Sequence, residues 1–166
     1  MISVRQVDNS ISSATFDNAY QILIDAYART EVEIWGENYS RISKEEYSTL
    51  IEKGEVYFAF IGEEVVGCIQ VFPISASTYT FGLLAVSESK SGLRLGRKLI
   101  ETAEQLALTN GATIMEIEIL KAANITVEMK QVLADWYVKQ GYKYYATNSF
   151  IALKPDKIDS FFLTRH

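Results

Sequence analysis

The chain has few of the residues that build disulfide frameworks and histidine sites. Its 166 residues include one cysteine, Cys68, and one histidine, His166. A single cysteine excludes an internal disulfide and favours a reducing compartment, so we expect a cytoplasmic protein. One histidine cannot form a metal-binding cluster of histidines and, at the end of the chain, is not a candidate catalytic base. We therefore expect no metal site. Cys68 lies in the apolar stretch EVVGCIQVF and is predicted to be a core residue rather than a nucleophile.

Long apolar runs, linkers and nucleotide-binding loops are also missing. No stretch approaches the roughly 20 apolar residues that a membrane-spanning helix needs, and the opening residues MISVRQVDNS lack the apolar run of a signal peptide. The sequence has no repeat, no Pro/Gly-rich linker and no Gly-Lys-Ser/Thr loop. We therefore expect one domain over residues 1–154 and a tail over residues 155–166, with no membrane segment.

Positive charge is scarce overall but locally concentrated. Lys and Arg total 16 against 21 Asp and Glu, a net charge of −5, whereas nucleic acids and anionic membranes require a basic face. We expect neither as a partner. Between Glu88 and Glu101, however, four cations stand against two anions: Lys90, Arg94, Arg97 and Lys98. This segment is either a solvated helix start or an anion-binding site.

Hydrophobic periodicity predicts the order β, α, α, three strands, α, β, α, β, β. Helices are expected over about 16–29, from Ser43 to Gly54, from GRKLI to Asn110–Gly111, and over about 127–140. Strands are expected at ISVRQV, at a hairpin of EVYFAFIG and EVVGCIQVF, at STYTFGLLAV, at ATIMEIEIL, and at a last hairpin of YKYYA and SFIALK about Thr147–Asn148. This pattern predicts a layered α/β (α+β) domain, with a mixed, mostly antiparallel sheet flanked by about four helices.

The segment SESKSGLRLGRKLI joins the strand STYTFGLLAV to a helix. A loop that enters a helix presents unpaired N–H groups, and the helix dipole adds partial positive charge, so such a corner binds anions. Gly92 would let a phosphate approach the backbone, and Gly96 would keep the helix start thin. The alternative is that these glycines only permit a sharp turn. Gly82, inside the preceding strand, predicts a bulge or a close backbone approach.

The same segment resembles the cofactor motif of the GCN5-related N-acetyltransferases, the GNAT family. That motif reads Gln/Arg-x-x-Gly-x-Gly/Ala between a strand ending in Val and a helix. Val86 and Gly96 match it, whereas Ser91 and Arg94 stand where the family usually has Gln or Arg and its first Gly. WYVKQGY resembles a second signature of the family and places Tyr137 where members often have a tyrosine near the cofactor sulfur.

The resemblance implies a GNAT-like fold and direct transfer of an acetyl group from acetyl-CoA to a small-molecule or peptide amine, with CoA as product. It implies that the cofactor is held by the strand end, the loop, the helix start and the signature tyrosine: Leu84, Ala85, Val86, Ser91, Gly92, Leu93, Arg94, Leu95, Gly96, Arg97 and Tyr137. A backbone N–H between Leu84 and Val86 would donate a hydrogen bond to the thioester oxygen. Tyr137 would assist departure of the thiolate; alternatively it is a core aromatic.

The catalytic base and the acceptor are less defined. Many relatives carry a carboxylate on the strand before the cofactor loop, and TYTFGLLAV has none. Glu118 and Glu116 on the next strand are candidate bases, or else part of a solvent-exposed face. The acidic stretch Glu31–Glu37, expected after the first helix, would border an acceptor pocket suited to a cationic amine. A non-catalytic acyl-CoA-binding or interaction module on the same fold, and a homodimer, are left open.

Overall fold

A mixed β-sheet lies at the centre of the fold. The structure is a computed structural model and describes residues 1–35, 42–90, 92–122, 135, 138–139, 141–149 and 158–165. These residues form strands β1 (Ile2–Gln6), β2 (Val56–Ile61), β3 (Glu64–Pro73), β4 (Thr78–Val86), β5 (Ile114–Ala122), β6 (Lys143–Ser149) and β7 (Ile158–Arg165). They also form helices α1 (Ser13–Trp35), α2 (Lys44–Glu52) and α3 (Leu95–Thr109), and a 3₁₀ turn at Glu88–Lys90.

The strands lie in the order β1-β2-β3-β4-β5-β7-β6. Every neighbouring pair is antiparallel except β4 and β5, which are parallel because α3 carries the chain back from the end of β4 to the start of β5. The mixed, mostly antiparallel sheet and the predicted fold class are confirmed. The fourth predicted helix lies largely outside the described residues, but Asp135, Val138 and Lys139 are helical. Within the part that is described, no helix is both long and apolar enough to span a bilayer.

Local signals start and stop α2, and stop α3, as predicted. At the start of α2, the Glu46 N–H donates to Ser43 Oγ and the Ser43 N–H donates to Glu46 Oε1, each at 3.1 Å. This reciprocal pair satisfies two amides that would otherwise lack partners. Gly54 and Gly111 follow the ends of α2 and α3 with φ of 77° and 86°, a conformation that glycine adopts without steric cost.

Two apolar clusters cover the two faces of the sheet. On one face α3 packs through Leu95, Leu99, Ile100, Ala103 and Ala107 onto Val66, Ile69, Val71, Phe81, Met115 and Ile117. On the other, α1 and α2 pack through Ala19, Leu23, Tyr47 and Ile51 onto Val56, Phe58, Phe60, Val65, Cys68, Leu83 and Ala85. Cys68 is fully buried, as its predicted core role requires. The sheet is therefore the middle layer of a three-layer domain.

The structure corrects three of the predicted elements. Thr147–Asn148 is not a turn, because β6 runs continuously through it. The predicted tail contains β7, which pairs with both β5 and β6. Helix α1 extends to Trp35, so Glu31 and Glu33 belong to it rather than to a following loop. In β6, pairing with a strand distant in sequence outweighs the local turn signal. In α1, the helix continues past its expected end.

Candidate active site

Strands β4 and β5 separate after a short stretch of pairing. Their parallel register ends with Thr80 opposite Glu116. Beyond this point β4 pairs only with β3, and β5 pairs with β7 up to Ala122. No strand in the described part of the chain pairs with residues 81–86 on the side of β5. We call this opening, bounded by residues 81–86 and 117–122, the β4–β5 gap; backbone groups that face it can bind an extended ligand.

A β-bulge lies on the β4 side of the gap. Gly82 pairs with Gln70 and Ala85 pairs with Cys68, so two residues of β4, Leu83 and Leu84, oppose one residue of β3. Leu83 has φ of 48°, a left-handed conformation that is uncommon for a branched side chain. The bulge also reverses the faces of the strand, because Phe81 packs on the α3 side and Leu83 on the α1–α2 side. The irregularity predicted at Gly82 is confirmed.

Backbone direction after the bulge follows from the antiparallel ladder. The Ser87 N–H donates to Val66 O at 2.8 Å, so residue 87 directs its polar groups toward β3. Because successive residues of a strand alternate in direction, Ala85 also faces β3, and the N–H of Val86 points into the gap. Of the three predicted backbone donors, Leu84 therefore belongs to the bulge, Ala85 to the β3 ladder and Val86 to the gap.

The loop after β4 ends at an uncapped helix. Gly92 has φ of 86° and Arg94, the N-cap of α3, has φ of 58° and ψ of 31°. No side chain caps the helix, and its first turn closes with the Lys98 N–H donating to Arg94 O at 3.0 Å. The amides of Leu95, Gly96 and Arg97 precede that bond and have no partner within the helix. The predicted strand–loop–helix corner is therefore present, and the first-turn amides of α3 can bind an anion.

Two features define the space and charge around this corner. A Cβ atom at Gly92 would meet no described atom within 4 Å, so the positive φ rather than crowding within the chain calls for glycine there. Lys90 Nζ lies 3.8 Å from Glu64 and Arg97 Nε lies 3.0 Å from Glu101, so these two cations are paired. Arg94 and Lys98 are exposed, and neither forms an ion pair with the described residues. Leu93, also exposed, precedes them.

A glycine that the sequence analysis did not single out fixes the distance between β3 and β4. A Cβ atom at Gly67 would lie 2.9 Å from the carbonyl oxygen of Ala85 and 3.2 Å from Leu99 Cδ1. Gly67 pairs with Val86, the last residue of β4. Its missing side chain therefore lets the end of β4 and the first turns of α3 approach β3. The available signal was a glycine within an otherwise apolar strand, as for Gly82.

The structure describes only some of the candidate catalytic residues. Glu116 is half-buried on the face opposite Met115 and Ile117, at the closed end of the β4–β5 gap. Glu118 lies two residues further along β5. Tyr137 and Ser91 lie outside the described residues, and so do residues 36 and 37 of the acidic stretch Glu31–Glu37. Among described residues, no group of three or more His, Cys, Asp and Glu could hold a metal ion.

Comparison with known proteins assigns the family. A family model described as the acetyltransferase (GNAT) family matches residues 17–142. The chain belongs to the GNAT family of acetyltransferases. The expected resemblance is thus confirmed over most of the chain, including the β4–β5 gap and the corner at α3. No curated protein matches the sequence.

Solved structures of GNAT proteins share the fold across nearly their whole length. A PaiA N-acetyltransferase from Thermoplasma acidophilum in complex with coenzyme A has 16% identity and a TM-score of 0.75, with 99% of this chain and 98% of that chain covered. An aminoglycoside 6'-N-acetyltransferase complexed with coenzyme A has 16% identity and a TM-score of 0.72, with 98% and 96% covered. A GNAT acetyltransferase from Elizabethkingia anophelis with acetyl-CoA bound has 18% identity and a TM-score of 0.69, with 99% and 97% covered.

The GNAT motif explains the unusual conformation of Arg94. This residue stands where the family has its first motif glycine, and its φ of 58° lies in the region that glycine occupies freely. The chain therefore keeps, at Arg94, a backbone conformation that glycine would favour, while carrying a side chain that is strained there. The departure adds an exposed cation beside the uncapped amides of α3.

Proposed function

We propose that this protein transfers the acetyl group of acetyl-CoA directly to the amine of a small molecule or a peptide. The observation that carries the proposal is the β4–β5 gap, which leads from the bulge at Leu83 to the uncapped start of α3. Three GNAT structures of the same fold were solved with coenzyme A or acetyl-CoA. These relatives support the cofactor class, while the acceptor has to be inferred from the residues of this chain.

The residues present fit a pyrophosphate-bearing cofactor. The first-turn amides of Leu95, Gly96 and Arg97, which have no partner within the helix, and the open space at Gly92 suit phosphate oxygens. The exposed Arg94 would add a charge-assisted contact. We propose that the pantetheine arm follows the gap, where the inward N–H of Val86 can donate to an amide carbonyl of the arm or to the acyl oxygen. The bound cofactor would supply an activated thioester.

Proton movements are assigned to three side chains. An alkylamine has a pKa near 10.4 and must be neutral to attack a carbonyl carbon, so a base must accept its proton. We propose Glu116 or Glu118 for this role, because both belong to β5, the strand that bounds the gap. Tyr137 is proposed to donate a proton or hydrogen bond to the departing thiolate, whose acid has a pKa of roughly 8.5 by analogy with cysteine.

A cationic acceptor is the substrate class favoured by charge. The net charge is −5, and acidic residues occur on β5 and in the stretch Glu31–Glu37. A close ion pair in water contributes only about 1 kcal/mol, more where the site is drier, and salt screens it. We therefore expect polyamines and lysine-like amines to be acetylated faster than acidic amino acids, with a preference that shrinks as ionic strength rises. A preference for anionic acceptors would contradict this assignment.

Thiol release from acetyl-CoA in the presence of an amine panel tests the proposed reaction. Wild-type protein should release CoA only when an acceptor amine is present, and mass spectrometry should find the acetylated amine. A protein that binds CoA tightly but never releases thiol would instead be the acyl-CoA-binding module. In that case the gap binds a ligand without catalysing transfer.

A matched pair of variants at Gly96 tests the proposed phosphate site. Gly96→Pro deletes an amide in the first turn of α3, whereas Gly96→Ala retains it. Calorimetry should show weaker CoA binding for the proline variant than for the alanine variant, with both folded by circular dichroism. Equal affinity in the two folded variants would contradict phosphate binding by this amide.

A further inference from the structure

A buried polar group contacts the bulge from the side opposite α3. Cys68 on β3 has no exposed surface, and its thiol donates to the carbonyl oxygen of Leu83 at an Sγ···O distance of 3.5 Å. Leu83 is the bulge residue with φ of 48°. The thiol therefore binds the residue whose backbone departs most from a regular strand. Cys68 itself pairs with Ala85, so it contacts β4 both within the bulge and directly after it.

A second polar group is buried beside the first. Tyr47 of α2 is also fully buried, and its hydroxyl has no hydrogen-bond partner among the described residues. Burial raises the pKa of this hydroxyl well above 10.0, and the neighbouring Cys68 thiol raises it further. Burial likewise raises the pKa of the Cys68 thiol, to about 11. Cys68 is therefore a neutral hydrogen-bond donor at physiological pH, inside a cluster that apart from Tyr47 consists of buried apolar side chains.

The left-handed conformation of Leu83 has to be held by its surroundings. A non-glycine residue in this region persists only when neighbouring contacts outweigh its strain. The Leu83 side chain is buried in the α1–α2 cluster, which anchors one side of the residue. The thiol of Cys68 anchors its carbonyl oxygen. Together these contacts fix the direction of the backbone that leads to Leu84 and Val86.

We propose that Cys68 is a positioning residue: its thiol, bonded to the Leu83 carbonyl, holds the bulge of β4 so that the following backbone amides face the acyl group in the β4–β5 gap. This inference rests on the proposed function, because the direction of these amides affects turnover only if the gap holds the acyl donor. Cysteine suits the position because a thiol donates a hydrogen bond while packing like a small apolar group. A hydroxyl would also donate, but burying it costs more free energy.

Serine and alanine at position 68 form the matched test. Cys68→Ser retains a donor for the Leu83 carbonyl, and Cys68→Ala removes it while leaving a side chain close in size to serine. We expect Cys68→Ala to lower kcat by roughly 10- to 100-fold, because a misplaced donor loses alignment with the reacting carbonyl. KM for acetyl-CoA should change little, since the phosphates bind at α3. Cys68→Ser should retain most of kcat although its melting temperature is no higher than that of Cys68→Ala.

Two control variants separate positioning from packing. Cys68→Val fills the site without a donor and should lose kcat as Cys68→Ala does, so the test remains decisive if the alanine variant is poorly folded. Tyr47→Phe removes a polar atom from the same cluster without touching the Leu83 carbonyl, and it should leave kcat unchanged. If serine and alanine reduce kcat equally, or if valine retains full kcat, Cys68 is a packing residue and the inference is wrong.

Amide hydrogen exchange gives a readout that does not depend on turnover. In the ligand-free protein, Cys68→Ala should speed exchange at Ala85 and Ser87, whose N–H groups face β3, at least tenfold more than Cys68→Ser does. Unaltered exchange in both variants would overturn the positioning role. Absence of thiol release by the wild-type protein would instead overturn the proposed function, so the two failures are distinguishable.

Discussion

Gly67→Ala should disturb the junction of β3, β4 and α3 although it adds a single methyl group. The new Cβ would lie 2.9 Å from the Ala85 carbonyl oxygen and 3.2 Å from Leu99 Cδ1. The oxygen belongs to the backbone of a paired strand, so it cannot rotate away as the end of a side chain could. Relief requires β4 to move from β3, or α3 to move from the sheet.

The expected cost follows from overpacking of a buried site. Inserting a methyl group into a well-packed core destabilises proteins by about 1–3 kcal/mol. For a chain of this length, each kcal/mol lowers the melting temperature by roughly 2–4 °C. Gly67→Ala should therefore melt about 2–12 °C below the wild type. CoA affinity should also fall, because the displaced segment includes Val86 and the helix start that is proposed to bind phosphate.

Gly82→Ala is the matched control for this substitution. Gly82 lies on the adjacent strand, and a Cβ atom there would meet no described atom within 4 Å. Its melting temperature should be close to that of the wild type. Thermal unfolding by circular dichroism and CoA calorimetry measure both variants. If Gly67→Ala melts at the wild-type temperature, or if the two alanine variants are equally destabilised, the close approach of β3 to β4 does not constrain the fold as argued.

Three further substitutions test individual residues. Arg94→Gly should melt roughly 2–4 °C above Arg94→Ala, because both remove the charge but only glycine relieves a left-handed strain of about 1 kcal/mol; equal melting temperatures would count against that strain. Burial raises the pKa of the Cys68 thiol from 9.0 to about 11. Between these two pH values the unfolded chain loses the thiol proton while the native state keeps it. The free energy of unfolding should therefore fall by roughly 2–3 kcal/mol as the pH rises from 9 to about 11. Cys68→Ala should remove that loss in denaturant unfolding at about pH 8 and pH 11, and an identical pH dependence in both proteins would refute the shift. Tyr137→Phe should lower kcat by roughly 10²–10⁴-fold at a nearly unchanged melting temperature, as expected for loss of a general acid; wild-type turnover would show that the hydroxyl has no catalytic role.

Local sequence signals predicted the elements whose causes are local. The Ser43–Glu46 capping box, the positive φ at Gly62 between β2 and β3, and the glycine stop after α3 all depend on residues within a few positions of one another. Gly82 marked the bulge because a glycine inside an apolar strand usually has a geometric reason. The path from β4 into α3, which defines the candidate site, was therefore readable from the sequence.

Features that depend on distant partners could not be read in this way. β7 lies between β5 and β6, and its assignment depends on strand pairs that no local pattern specifies. The Thr147–Asn148 signal was too weak to interrupt a strand with a partner along its whole length. Gly67 owes its importance to Ala85 and Leu99, which become its neighbours only in the folded chain.

The left-handed Arg94 was unexpected for a related reason. Arginine has no intrinsic preference for positive φ, so nothing in its chemistry predicts the conformation. The GNAT motif indicated a glycine at this position, and the structure shows that the backbone retains the shape which that glycine would favour. Departures from a family motif can therefore leave the backbone geometry intact, and the side chain alone is then a poor guide to whether a loop retains its function.

A crystal structure with CoA bound tests the central claim most directly. We expect pyrophosphate oxygens within hydrogen-bond distance of backbone amides between Gly92 and Arg97. We also expect the pantetheine arm to lie in the β4–β5 gap, with its sulfur near the bulge at Leu83. Phosphates bound elsewhere on the protein, or an arm that leaves the gap empty, would contradict the claim that this opening is the cofactor site.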